Sequence, residues 1–242
     1  GFKDASTIAN WASEAVGKVA ARGYLNGYAD GQFHPTDPIT RAMLAKILCD
    51  ISDKEAIVTT PTTVSSNGTM LSNKIYSNGV TISSSLGNGN ATLSNCVVLG
   101  TLNINGGGEN SVRLDDCRIA NAVVRKTGSP VRALATSHTT IAKASVAENS
   151  ILETYALSGG LFGKGFENVT VERNAAATFK GNFPLVNVDG YQANVTLQSG
   201  TIEKLEASSS ATDSKIKLES NARINTANVS ARLAFTGDGY IN

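Results

Sequence analysis

Between Leu93 and Leu218 a short apolar pattern returns about every 21 residues. Leu93, Cys96, Val98 and Leu102 are followed 21 residues later by Leu114, Cys117, Ile119 and Val123. Leu197 and Leu218 share that spacing, and Ile141-Ala142-Lys143-Ala144 echoes Ile119-Ala120-Asn121-Ala122 at 22. Such a period, filled by apolar–polar runs of four to six residues, leaves few folds open. One unit is too small to bury its own inner face, so successive units must stack. The alternation is strand-like, and Asn, Gly, Ser and Asp punctuate the runs where turns are needed. No helical period is present from about Val64 onward. The chain therefore reads as mainly β, its larger part a β-solenoid with like residues over like. Roughly 180 residues at about twenty per rung make eight or nine rungs, a rod of about 40 Å at the ~4.8 Å ladder spacing.

This pattern resembles the right-handed parallel β-helix found behind anchoring domains in bacterial surface proteins. Asn90, Asn168, Asn194 and Asn228 each open an Asn-x-Thr/Ser triplet. The triplets match a glycosylation acceptor, but an Asn turning the chain into a strand explains them more simply. Cys96 falls over Cys117. Ladder spacing would allow a disulfide there, and the preferred reading is two buried free thiols packing as small hydrophobes.

Few residues in the solenoid carry chemistry. Ser158-Gly-Gly-Leu-Phe-Gly-Lys-Gly165 looks at first like a phosphate loop. Ser158 stands where the first Gly is needed, and Gly165 where Ser or Thr would hold Mg²⁺, so it reads as a wide loop between rungs. Polysaccharide lyases and hydrolases need carboxylates converging on one outer face. The densest acidic groups are Asp115-Asp116 beside Arg118, and Glu203 with Glu206. Neighbours along a strand point to opposite faces, so Asp115 and Asp116 are not expected to converge. Tyr155, Phe162, Phe166, Phe179, Phe183 and Tyr191 are either sugar platforms or core plugs. The histidines, His34 and His138, form no metal spacing and no nucleophile motif. No cofactor and no metal is expected, and the chain reads as a non-enzyme.

The first fifth of the chain is different in kind. Ile8, Trp11, Ala12, Ala15, Val16 and Val19 recur at helical spacing, and Gly23 follows as a stop signal. Asn26-Gly27 and Asp30-Gly31 are turn signals. Pro35 and Pro38 hold the next residues extended. Thr40 is placed to cap a second helix that should bury Leu44, Ile47 and Leu48. Asn26 to Asp37 has the length of a calcium loop, but Tyr28 and Asp37 occupy ligand places wrongly.

These residues resemble the S-layer homology domain. The resemblance is carried by Phe2 and Asp4, Trp11-Ala12, Ala15-Val16, Gly27-Tyr28-Ala29-Asp30-Gly31-Gln32-Phe33-His34-Pro35 and Ile39-Thr40-Arg41-Ala42. Met43 stands where the family has Glu. The resemblance implies non-covalent attachment to a secondary cell-wall polysaccharide, often pyruvylated and anionic. It implies glycan contact by Trp11, Tyr28, Asp30, Thr40 and Arg41, with the Arg41 fork gripping a carboxylate. Trp11 and Tyr28 could equally be core packing. Family members usually pack three such units about a pseudo-threefold axis. One unit of about fifty residues is marginal alone. It would need copies from other chains, upstream units, or packing on the rest of this chain.

The expected division is 1–53 homology domain, 54–66 linker and 67–242 parallel β-helix. Net charge is +1, which leaves no footprint for nucleic acid or an anionic membrane. No apolar run approaches the ~20 residues of a membrane span. No signal peptide is visible, as in a processed secreted chain. Location is expected to be extracellular, at the cell wall or surface layer. Besides the polysaccharide, the expected partner is a second copy, through a trimer of homology units or end-to-end stacking of solenoids. The alternatives are a self-polymerising filament without wall binding, and a wall-anchored polysaccharide-degrading enzyme.

Overall fold

The computed structural model describes residues 1–21, 23–54, 57–110, 112–160 and 162–242. The chain divides into two compact units, Gly1–Ile57 and Val58–Asn242. Among the described residues no helix is long and apolar enough to cross a membrane.

The first unit is helical. A short turn, Ala5–Thr7, leads to α1 (Asn10–Ala21), and α2 covers Arg41–Lys54. Gly23 ends α1 at φ +71°, and Tyr24 N donates to Val19 O while Gly23 N donates to Ala20 O. These crossed bonds are the Schellman arrangement that a C′ glycine permits. Thr40 caps α2 as the sequence predicts, its Oγ1 accepting from Met43 N at 3.1 Å. Of the three residues expected to be buried by α2, Ile47 is half-buried and the other two are exposed. Leu44 is 47% and Leu48 57% exposed, and α1 buries no residue. Among the described residues, Ile8 and Tyr24 are the buried apolar side chains of this unit. So few residues provide too little interior to cover two amphipathic helices.

The second unit is a parallel β-solenoid of about nine turns. Its strands form two faces, sheet B from Thr69–Ser72 to Ala234–Gly237 and sheet A from Thr62–Val64 to Tyr240–Ile241, with Asn194–Ala207 running through both, and every described pairing is parallel. Tyr76, Val98, Ile119, Ile141 and Phe166 stack in one inward column of sheet A. The column continues through Phe183, Ile202, Ile224 and Ile241. A second column runs from Val64 through Ile82, Ile104, Val124, Val146 and Val171 to Val188. Both columns are buried almost throughout, as stacked repeats require.

The repeat is legible at Leu93 over Leu114, Val98 over Ile119 and Leu197 over Leu218. It slips at one expected pair. Leu102 lies over Ala122, and Val123 lies over Asn103. The register shifts at Leu99-Gly100, which adds one residue to that rung. A Cβ on Gly100 would come within 2.6 Å of Gly79 N, so the bulge is tolerated because no side chain is present.

Within the segment read as a linker, Thr62–Val64 is a strand paired with Val80–Ile82, and Val64 is buried. Glu55 and Ala56 of that segment lie outside the described residues. The wide loop falls between strands Ser150–Leu157 and Gly165–Phe166, with Leu161 outside the described residues. Asn90, Asn168 and Asn194 stand at strand starts, whereas Asn228 is next to last in Ala222–Val229.

Cys96 and Cys117 are free and buried. Their thiols donate to carbonyls one rung apart, Cys96 to Leu71 O and Ser94 O, Cys117 to Leu93 O and Asp115 O. A hydrogen bond shared with Cys96, and then burial, push the Cys117 thiol far above the usual thiol range.

One inward position is mismatched. Ser150 lies between Val131 and Ala177 in sheet B, and among the described residues its buried Oγ has no partner. An unpaired buried hydroxyl costs about 1–3 kcal/mol. Ser150→Ala is therefore expected to raise unfolding stability by about 1 kcal/mol, read as a higher urea midpoint at unchanged slope. A lower midpoint would mean that the hydroxyl has a partner in solution.

Candidate functional site

The head is organised by the chain from Phe2 to Thr40. Tyr28 N donates to Gln32 O, and Gly31 N to Tyr28 O, closing a tight turn. Gly27 has φ +70°, and a Cβ there would come within 2.6 Å of Gln32 O and 2.7 Å of the Phe2 ring. Only glycine fits. Asp4 then clamps the far side of the loop. Its Oδ1 accepts from Phe33 N at 2.8 Å and its Oδ2 from His34 N at 2.9 Å. Phe2 packs on Phe33 with ring centroids 5.3 Å apart. The Phe-x-Asp start thus grips the Phe-x-Pro loop through two amides and one ring pair. Burial pushes the Asp4 carboxyl up, but the two amides outweigh it and hold it below its ordinary range.

His34 sits at the corner, with φ +55°. Its Nε2 lies 2.8 Å from Asp30 Oδ2, and its Nδ1 lies 3.9 Å from Asp37 Oδ2. Its ring meets Tyr28 edge-on at 4.8 Å. Asp30 Oδ1 accepts from Gln32 N at 2.9 Å. That amide bond, and then the imidazole, lower the Asp30 pKa. The hydrogen bond to Asp30 raises the His34 pKa in return. A cavity of about 560 Å³ lies in the same unit, lined by Phe2, Ile8, Val16, Ala20 and Leu25 among others.

The family model for the S-layer homology domain matches residues 1–43. This part of the chain is an S-layer homology domain. No curated protein and no solved structure matches the chain.

In the homology domain Tyr28 and Asp30 are brought together through His34. Thr40 and Arg41 open α2, where the helix dipole presents its positive end. Among the described residues no ion pair involves Arg41, which is exposed. Trp11 is 79% exposed, so it is not core packing. Tyr28 is partly exposed, with one ring edge on the imidazole. None of the five lines the 560 Å³ cavity. Asp4 and His34 belong to the motif, with His34 expected on the binding loop, but neither is in the expected glycan set. The signal for Asp4 was its place in the Phe-x-Asp start, and for His34 its spacing from two aspartates.

The departure at Met43 has a structural meaning. Met43 is the third helical residue after the Thr40 cap. Glu at that place reaches back to the cap N–H and completes a capping box. Met43 keeps the forward bond and loses the return one.

The solenoid candidates resolve differently. The strand holding Asp115 ends there, and Asp116 takes φ +51° in the turn. Asp116 is therefore a corner residue rather than the next strand residue, and the alternation rule does not apply between the two. Asp115 Oδ1 accepts from Thr136 and Ser137, and Asp116 Oδ1 lies 2.8 Å from His138 Nδ1. Glu203 takes Asn225, and Glu206 pairs with Lys204 at 2.6 Å. The aromatics divide. Phe166, Phe179 and Phe183 plug the core, while Tyr155, Phe162 and Tyr191 face outward. Arg118 stacks 3.3 Å from the Phe162 centroid, and Arg173 lies 5.7 Å from that of Tyr191.

Proposed function

We propose that this is a cell-wall-associated structural protein of the cell surface, attached through the homology domain and carrying the solenoid as a stalk. The observation that supports this most is the family match over residues 1–43 in a chain whose second unit is a nine-turn solenoid. In this reading a secondary cell-wall polysaccharide is bound by Trp11, Tyr28, Asp30, Thr40 and Arg41. Arg41 supplies the fork for an acidic substituent, and the α2 dipole adds to its pull on an anion. Thr40 can donate its proton to a sugar oxygen while its lone pair caps the helix. Trp11 offers an open ring face.

The protein is not an enzyme in this reading. Supporting it, the carboxylates of Asp115 and Asp116 are held by Thr136, Ser137 and His138 of the next turn, and Glu203 is engaged by Asn225. Association of homology units from several copies belongs to the same reading. It is favoured by Trp11, Leu44 and Leu48, apolar side chains left uncovered on both helices.

Purified wall sacculi test the reading. The protein should sediment with them. Arg41→Ala should weaken binding about 10- to 100-fold, as loss of a hydrogen-bonded charge pair does. Equal sedimentation of both proteins would remove Arg41 from the site, and no sedimentation of either would remove wall binding.

A further inference from the structure

We propose that His34 is a positioning residue of the glycan-binding loop, and that its protonation makes the homology domain bind an anionic glycan more tightly on the acid side. The inference rests on the anchoring reading above and adds regulation to the same site.

The geometry carries it. The imidazole stands between two carboxylates, Asp30 at Nε2 and Asp37 at Nδ1. A neutral ring can donate from one nitrogen only. It can keep the Asp30 bond, but then it turns a lone pair toward Asp37. An imidazolium satisfies both sides. Asp4 is also close, accepting from the His34 amide, and Lys3 Nζ donates to the Asp30 carbonyl at 2.6 Å. Asp4, Asp30 and Asp37 thus face two cations when the ring is charged and one when it is neutral. The loop becomes more negative by one charge as pH rises.

That charge lies where it can reach the site. Asp30 and Tyr28 both touch the ring and both belong to the glycan set. His34 O accepts from Asp37 N, so the ring sits at the corner from which the chain runs to Thr40 and Arg41. Losing the Asp37 attraction frees that run, and the added negative charge repels an acidic sugar. The sign is consistent. The His34 pKa is raised, first by its bond to Asp30, so the ion pairs are complete below the ordinary histidine value of about 6.5. They are lost as pH climbs through the raised value. Asp4 and Asp30 are lowered, so they stay charged across that interval. The change in this cluster therefore belongs to the imidazole.

The test is equilibrium binding of the full chain to a pyruvylated polysaccharide purified from bacterial walls, and to the same material after acid removal of pyruvate. Measurements at about pH 5.5 and about pH 8.5 bracket the histidine range. Wild-type affinity for the pyruvylated glycan should fall about two- to fivefold toward high pH, the size of an exposed charge interaction. His34→Gln keeps a donor for Asp30 without the titrating charge, and its affinity should be flat. Asp37→Asn should move the wild-type midpoint to lower pH. Binding of the stripped glycan should lose the pH dependence. Equal affinity of the wild type at both pH values, or one profile shared by the wild type and His34→Gln, would overturn the role of His34 and leave anchoring intact. No binding to either glycan at any pH would overturn the anchoring reading and this inference with it.

Discussion

Phe183→Ala is expected to lower the stability of the solenoid by about 3–5 kcal/mol, the range for deleting a buried phenyl ring. The ring is wholly buried. It lies 6.0 Å from the Phe166 centroid in a stacked pair and 4.8 Å from that of Phe179, edge-on. Three aromatics meet here because the sheet A column is irregular: the rung holding Phe166 carries the long loop, and the next is short. Large flat rings fill the space that a regular aliphatic stack would leave. The site cannot collapse around a missing ring, because Phe183–Val188 is held by ladders to Ile202–Ala207 and Asn168–Val171. The cavity term is therefore retained in full. Urea unfolding of the whole chain, followed by far-ultraviolet circular dichroism, measures it. Because stacked repeats can unfold in parts, a second transition at low urea is an equally supporting result. A loss below about 1 kcal/mol would show that the ring cluster contributes little beyond its area.

Gly200→Ala should cost roughly 2–5 kcal/mol, combining positive-φ strain with overpacking against fixed backbone. Gly200 has φ +89° at the corner where sheet B passes into sheet A. A Cβ would overlap the Gly181 carbonyl oxygen of the preceding turn and come within 2.5 Å of its carbon. Neither atom can move, because Thr201 N donates to that oxygen. Earlier turns pass the same corner with Asn73, Asn95 and Asp116 at φ between 51° and 55°. Those residues accept the left-handed region, and their side chains are used: Asn95 Nδ2 donates to Asn73 Oδ1 at 2.7 Å. Gly68 is the control. Its φ is +76°, but nothing lies within 4 Å of its missing Cβ. Gly68→Ala should cost only about 1–2 kcal/mol. Equal losses at the two positions would mean that strain alone matters and close approach does not.

Much of this protein could be read from its residues. A rung must present apolar groups on one side at each pass, so the period appears directly in the sequence, as Leu93 over Leu114 and Ile119 under Ile141 show. The homology domain was equally legible, because turns need Gly, Asn and Asp and a helix start needs Thr40. The stacked contacts decided the rest. Whether Leu102 meets Ala122 or Val123 depends on a single bulge residue, which a period cannot locate. Phe166, Phe179 and Phe183 turn inward while Tyr155, Phe162 and Tyr191 do not, because neighbouring rungs leave room at some places only. Asp116 is a corner residue rather than the next strand residue because the strand stops at Asp115. In the head, the grip of Asp4 on residues about thirty positions away is a long-range contact. Local pattern specifies which way a side chain leaves the backbone, and only the packed neighbours specify what it meets there.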